Sequence, residues 1–297
     1  MATISPRAVF VTRETDYELL LARHATRGQA KFFLDTRGQD IDVIEGRHRR
    51  LHGTLHAARA AVPGDWRQAT VARADLDRFL FGPEDVVVIV GQDGLVANVA
   101  KYLDGQPVLG VNPAPDLYDG VLVRVPLARL PALLPASVAG TAPVERRTMV
   151  EARLDSGERL LALNEVFVGH HSHQSARYRI TCGDRAEDHS SSGLIVASGT
   201  GATGWARSIM DATHAALPLG AQERAVAFFV REPFPSVATG TTLRSGKLDA
   251  APLEVTSRMN DGGVIFADGI EQDFLAFDWG RGVTLGPAAQ TLHLVTG

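Results

Sequence analysis

Asp85-Val86-Val87-Val88-Ile89-Val90 runs straight into Gly91-Gln92-Asp93-Gly94, and this junction limits the folds open to the chain more than any other. After its first residue the run is unbroken and β-branched, the pattern of a strand buried on both faces of a parallel sheet. The glycines turn the chain. Leu95, Val99 and Leu103 then recur at helical spacing, and Val108–Asn112 reads as a returning strand. Strand, glycine turn, helix and strand make a βαβ unit.

The elements before this unit fit the same layer. Ala8–Thr12 and Arg67–Ala72 read as strands, and residues 16–60 as a helix-permitting stretch interrupted near Gly38 and Gly46. A short helix is expected from Asp75 to Phe81, stopped by Gly82-Pro83. Further on, Val121–Val125 reads as a strand and Leu127–Leu134 as a helix closed by Pro135. From Val144 the pattern changes to short strands at turn-spaced intervals, among them Arg159–Val168, Arg177–Cys182, Gly193–Ala197, Ala225–Val230 and Gly263–Ala267, with one helix over 203–216. The expected fold class is an α/β N-terminal domain with a Rossmann-like parallel sheet, over 1–118, and a β-rich C-terminal domain over 119–297. The last strand, near Leu292–Val295, is a candidate to return to the first domain.

Composition excludes several classes. At 297 residues, 45% hydrophobic and 22% charged, the chain has the balance of a globular protein. A net charge of −4 argues against a broad nucleic-acid surface. No apolar run is long enough for a membrane helix, and Met1 to Arg7 shows no signal-peptide pattern. Cys182 is the only cysteine, which suits a reducing compartment, so a cytoplasmic protein is expected.

Three constellations carry chemistry. Gly91, Gln92, Asp93 and Gly94 lie where a buried strand gives way to a helix, the crevice in which open α/β sheets bind ligands. Glycine admits a phosphate close to the backbone, and helix N–H groups attract it. An aspartate there has two readings: a cap for the following helix, or a group that holds Mg²⁺ or accepts a proton from an attacking hydroxyl. Asn164-Glu165 interrupts an apolar strand, where two polar side chains need partners. They either pair with another strand or grip ribose hydroxyls or a base edge. Ser198-Gly199-Thr200-Gly201-Ala202-Thr203-Gly204-Trp205 is a second small-residue loop between strand and helix. It reads as a tight turn or as a ligand platform whose hydroxyls donate to phosphate or ribose oxygens, with Trp205 stacking on a base or packing the helix.

Together and in this order these motifs resemble those of the NAD kinase family, marked by a Gly-Gly-Asp-Gly-Thr turn, an Asn-Glu/Asp pair and a Thr-Pro-Thr-Gly-Ser-Thr-Ala-Tyr loop. Asp268-Gly269 resembles the family's late Asp-Gly. The resemblance covers the chain from about Val86 onward. It implies the two-domain NAD kinase architecture and transfer of the γ-phosphoryl of ATP, or of polyphosphate, to the adenosine-ribose 2′-hydroxyl of NAD. Asp93 would then orient and deprotonate that hydroxyl, Gly91, Gln92 and Gly94 would lie beside the phosphates, and Asn164 and Glu165 would hold ribose or base. Ser198, Thr200, Gly201, Ala202, Thr203 and Trp205 would border the dinucleotide. Mg²⁺ would arrive on the nucleotide, with no metal fixed by protein side chains. Small-molecule nucleotides are the expected partners, with neither nucleic acid nor membrane, in a homodimer or homotetramer.

The departures are Gln92 for glycine, Leu95 for threonine, Gly199 for proline, Ala202 for serine and Trp205 for tyrosine, with Ser192-Gly193 where the family has Asp-Gly. They keep two alternatives open: a kinase of the same fold acting on a sugar-like or nucleoside hydroxyl, and a nucleotide-binding sensor without turnover. A nicotinamide-dependent oxidoreductase fits poorly, because the turn lacks Gly-x-Gly-x-x-Gly. Arg47-His48-Arg49-Arg50 reads as a solvated helix face rather than a phosphate contact. His170-His171-Ser172-His173, with Cys182, Asp184 and His189 beyond, reads as a solvated hairpin and fits no zinc spacing. Arg231-Glu232-Pro233-Phe234-Pro235 reads as a rigid loop that could border the site.

Overall fold

A computed structural model describes residues 5–297; Met1 to Ile4, part of the stretch read above for a targeting signal, lie outside the described residues. The chain forms two compact units, 1–145 with 293–297 and 146–292. The division falls at 145/146, where the sequence reading put it at 118/119. Residues 119–143 bond within the first unit: Val125 N–H donates to Gly110 O and Thr296 N–H to Pro143 O.

In the first unit, β1 (Arg7–Thr12) leads to α1 (Asp16–His24), α2 (Arg27–Asp35) and α3 (Ile41–Ala60), then β2 (Arg67–Ala72), β3 (Asp85–Val90), α4 (Asp93–Ala100), β4 (Pro107–Val111) and α5 (Leu130–Val138). The parallel order is β2-β1-β3-β4. One face packs Phe10, Val88 and Leu109 against Ala58 of α3 and Leu130 and Leu134 of α5. The βαβ unit therefore stands as read, with all six residues of β3 buried.

Four elements differ from what the sequence predicts. Gly46 does not interrupt α3, which runs through it for 20 residues. Residues 73–78 form a 3₁₀ turn rather than an α-helix. Pro135 does not close α5; its missing N–H forfeits one bond, and burial of Leu130, Leu133 and Leu134 outweighs it. Val121–Val125 is not a strand, because its amide groups have another use.

The second unit comprises β5 (Val144–Leu154), β6 (Arg159–Ala162), β7 (Glu165–His170), β8 (Ala176–Cys182), β9 (Arg185–Ser191), β10 (Leu194–Ser198), α6 (Trp205–Thr213), β11 (Val226–Val230), β12 (Ser245–Leu248), β13 (Leu253–Ser257), β14 (Gly263–Ala267), β15 (Phe274–Ala276) and β16 (Gly282–Val295). One antiparallel sheet runs β12-β11-β10-β7-β14-β15. A second places β16, β13, β8 and β9 side by side, with β5 paired to β16 and β6 to β5. Val166, Val196, Phe228 and Ile265 of the first meet Val150, Tyr178, Val255 and Leu285 of the second in one core. On its other face the six-stranded sheet packs Ile195, Ala197 and Phe229 against Trp205, Ile209 and Met210 at α6. β10 and β11 are covered on both faces and hence read as continuous apolar runs.

Two strands were missed in the sequence. β9 is mostly polar, and only alternate residues His189 and Ser191 turn inward; β12 is four residues long. The expected single strand Arg159–Val168 is two, broken at Leu163-Asn164. The C-terminal residues return to the first unit, where His293 and Leu294 pair with Pro107 and Val108.

Candidate functional site

In the first unit the turn after β3 prolongs the strand by one bond, Gly91 N–H to Val111 O at 3.0 Å. Gln92 is the residue before α4, at φ −112° and ψ 165°. That is ordinary extended backbone, so glutamine is unstrained in the place of a glycine. Gly94 lies in the first turn of α4, and a Cβ added there would meet nothing within 4 Å. Leu95, the other departure in this turn, is buried in the core.

Asp93 does not cap α4. Its Oδ1 accepts the backbone N–H of Leu122 at 2.8 Å and of Val123 at 3.1 Å, and its Oδ2 that of Val121 at 2.8 Å. These amides would have served a strand ladder, which is why the apolar stretch 121–125 is not a strand. The segment lies so close to β4 that a Cβ at Gly110 would fall 2.4 Å from Leu122 O.

Beside the turn a pocket is lined by Gly91, Gln92, Asn112 and Tyr118 together with Arg13, Thr15, Arg47, His48 and Arg50. Glu14 and Asp16 also line it. Of the cluster read as a solvated helix face, Arg47, Arg49 and Arg50 are exposed as expected, and Arg47, His48 and Arg50 also line this pocket. The signal available in the sequence was the 3.6-residue period, which puts Arg47 and Arg50 on one side of α3. What faces that side depends on how the helix packs.

In the second unit Asp268 repeats the device seen at Asp93. Its carboxylate accepts the backbone N–H of Leu163 at 2.9 Å, Asn164 at 2.7 Å and Glu165 at 3.3 Å, while its own N–H donates to Glu165 O at 3.0 Å. Asp268 adopts φ 51° to do so, a conformation that disfavours a non-glycine residue. The break between β6 and β7 is thereby held open with its amides satisfied. Glu165 sits half-buried beside it, and burial first, then the charge of Asp268, pushes its carboxyl up to about 7.

The loop after β10 is built on the same break. Ser198 N–H donates to Asn164 O at 2.9 Å. Ser198 Oγ donates to Leu163 O and accepts from the N–H groups of Thr200 at 3.1 Å and Gly201 at 3.3 Å. A Cβ at Gly201 would fall 2.1 Å from Asn164 O, so only glycine fits. Ser198 and Thr200 are buried, and their hydroxyls bond within the fold, Thr200 Oγ1 accepting from Arg147 Nη1 at 3.4 Å. Ala202, Thr203 and Trp205 retain exposed surface. The Trp205 ring lies parallel to Phe167 at 6.3 Å, and Arg231 stands 5.2 Å from its centroid.

The structure therefore groups Asn164, Glu165, Ser198, Thr200, Gly201 and Asp268 in one unit, and Gly91, Gln92 and the pocket arginines in the other. The rings of His170 and His171 stack at 4.8 Å, which is possible because β7 ends at His170 and His171 lies beyond it. Among the described residues, His170, His171 and His173 form no metal-binding trio. Among the described residues no helix is long and apolar enough to cross a membrane.

No protein-family model matches the chain. Among curated proteins it is 36% identical to the NAD kinase of Heliobacterium modesticaldum over 132 residues, 42% of this chain and 46% of that protein. It is 28% identical to the NAD kinase of Chlorobaculum tepidum over 204 residues, 68% of this chain and 63% of that protein. The chain thus matches about half to two thirds of the length of these relatives. Among solved structures, yeast NADH kinase complexed with NADH aligns over 99% of this chain and 84% of its own, with a TM-score of 0.59 and 14% identity. An NAD kinase from Archaeoglobus fulgidus in complex with ATP aligns over 98% and 93%, with a TM-score of 0.57 and 18% identity. The curated relatives matched are NAD kinases, and the solved structures share the fold of this chain.

Proposed function

We propose that the chain is an NAD kinase, transferring the γ-phosphoryl of ATP to the 2′-hydroxyl of the adenosine ribose of NAD to give NADP. The observation that carries this reading is the pocket in which Gly91 and Gln92 meet Arg13, Arg47 and Arg50. Glycine backbone and arginine forks together suit a polyphosphate.

Asp93 has the acceptor geometry for the attacking hydroxyl. Three of the four lone-pair positions of its carboxylate take amide protons, which fixes its orientation and leaves one on Oδ2. Phosphoryl transfer through a loose transition state asks for positioning more than for a strong base. That same occupancy makes Asp93 a poor metal ligand, in keeping with Mg²⁺ held by the nucleotide's own phosphates. Bound there, Mg²⁺ would supply neutralisation of phosphate charge.

In the second unit Asn164 and Glu165 would hold the ribose or base, and Ala202, Thr203 and Trp205 would border the dinucleotide. Ser198, Thr200 and Gly201 would act by shaping the loop. The unstrained Gln92 and the core position of Leu95 remove two reasons to regard the turn as inactive. A cytoplasmic setting fits the lone Cys182, and a homodimer or homotetramer follows from the resemblance alone.

The test is incubation with ATP, Mg²⁺ and NAD, with NADP read enzymatically. NADP formation that falls at least about 100-fold in Asp93→Asn and Arg47→Ala/Arg50→Ala supports the reading. ATP consumption only with other hydroxylated acceptors would replace NAD as substrate, and binding of NAD without turnover would make the chain a sensor.

A further inference from the structure

Two histidines one turn apart on α3, His48 and His52, face Glu18 of α1. One candidate ligand atom from each of the three lies within 4.8 Å of the other two, and among the described residues no other trio of His, Cys, Asp or Glu does so. The spacing His-x-x-x-His puts both imidazoles on one helical face.

The hydrogen bonds around the trio decide which atoms are available. Thr15, the N-cap of α1, donates its hydroxyl proton to Glu18 Oε2 at 2.9 Å, and its N–H bonds the same oxygen at 2.7 Å. Thr15 Oγ1 accepts from Glu18 N–H at 3.3 Å and lies 2.9 Å from His48 Nδ1. A hydroxyl has a single proton, here given to Glu18, so His48 Nδ1 must be the donor to Thr15. This fixes the tautomer that leaves a lone pair on His48 Nε2, the usual arrangement of a metal-ligating histidine held from behind. With Oε2 doubly bonded, Oε1 is the oxygen left for a ligand. It lies 3.4 Å from His52 Nε2. Two ligand atoms at tetrahedral positions on a zinc-sized ion, each bonded at about 2.05 Å, lie about 3.3 Å apart.

We propose that Glu18, His48 and His52 form a site for a divalent transition-metal ion of the Zn²⁺ type, with one coordination position left open to solvent or an anion. Two imidazole nitrogens select such an ion over Mg²⁺ or Ca²⁺, which favour oxygen ligands. The ion would tie α1 to α3 at the edge of the pocket that Thr15 and His48 share with Gly91 and Gln92. This site is separate from the nucleotide-borne Mg²⁺ and does not depend on the proposed activity.

The test uses the full chain stripped with a chelator and titrated with Zn²⁺ against a chromophoric competitor, with thermal unfolding followed in parallel. One equivalent should bind and raise the melting temperature. His52→Ala, an exposed position, should weaken binding by at least about 100-fold and abolish the thermal shift. His173→Ala, exposed in the other unit, should do neither. Co²⁺ should give the visible spectrum of a tetrahedral site in the parent chain and not in His52→Ala. Absence of stoichiometric binding, or binding that His52→Ala leaves unchanged, overturns the proposal.

Discussion

Leu122 donates its backbone N–H to Asp93 Oδ1 at 2.8 Å, across 29 residues of sequence. With Val121 and Val123 it makes the aspartate of the glycine turn the acceptor that organises the segment after β4. The second unit does the same with Asp268 and Asn164, 104 residues apart. Each carboxylate gathers three successive amides and so fixes the polypeptide beside a strand end. At Asp93, the structural role is therefore compatible with the proposed catalytic one.

Asp93→Asn tests both at once. The amide keeps one acceptor oxygen but turns an NH₂ group toward an N–H, either at Val121 or at Leu122 and Val123. Loss of one such bond with an N–H left unsatisfied costs roughly 1–3 kcal/mol. Urea unfolding should show that loss, and saturating NAD should not restore NADP formation. A variant of parental stability and activity would show that the three amides are dispensable.

Gly201→Ala addresses the loop after β10. The added methyl group would meet Asn164 O at 2.1 Å, a backbone atom that cannot step aside alone. A destabilisation of about 1–3 kcal/mol is expected from such overpacking. Displacement of Asn164 should also raise KM for NAD more than KM for ATP. Equal changes in both would assign Gly201 to folding only.

How legible these features were in the sequence depended on the range of the interaction. The βαβ unit is local: burial on both faces makes β3 an unbroken apolar run, and the helix after it has its own period. Glycine at 201 could be seen as a turn, whereas its contact with Asn164 depends on the break between β6 and β7, 37 residues earlier. Val121–Val125 has the composition of a strand, and nothing in it records that Asp93 takes its amides. β9 escaped because a strand at a sheet edge can be polar on its open face. Arg47 and Arg50 are exposed, as their charge suggests, and only the packing of α3 reveals that they also lie beside the glycine turn.

Arg7 and Asp85 join the starts of β1 and β3. The guanidinium is bidentate, Nε to Oδ1 at 2.7 Å and Nη2 to Oδ2 at 2.6 Å, and Gly82 N–H also donates to Oδ2 at 2.7 Å. The Asp85 side chain is wholly buried, while that of Arg7 is 23% exposed. Arg7→Met leaves a buried carboxylate without its partner, which should cost about 3 kcal/mol, the lower part of the usual range because water reaches the Arg7 side. Arg7→Met/Asp85→Leu should recover most of that loss, as measured by denaturant midpoints. A double variant no more stable than Arg7→Met would mean that packing, not the unpaired charge, sets the cost.

Glu165 gives the second unit a pH dependence of unusual sign for a carboxylate. Its folded-state carboxyl is pushed up to about 7, by burial first and Asp268 second, against an ordinary 4.5. Between those values the folded chain holds a proton that the unfolded chain has released. Stability contributed by this group is thus complete below about pH 4.5 and falls as pH rises to 7. Glu165→Gln removes the titration, so the variant should gain on the parent by about 2–3 kcal/mol between pH 4.5 and pH 8. Denaturant midpoints measured across that interval check it. A constant difference between the two proteins would show that Glu165 titrates as an exposed carboxylate and that Asp268 does not act on it.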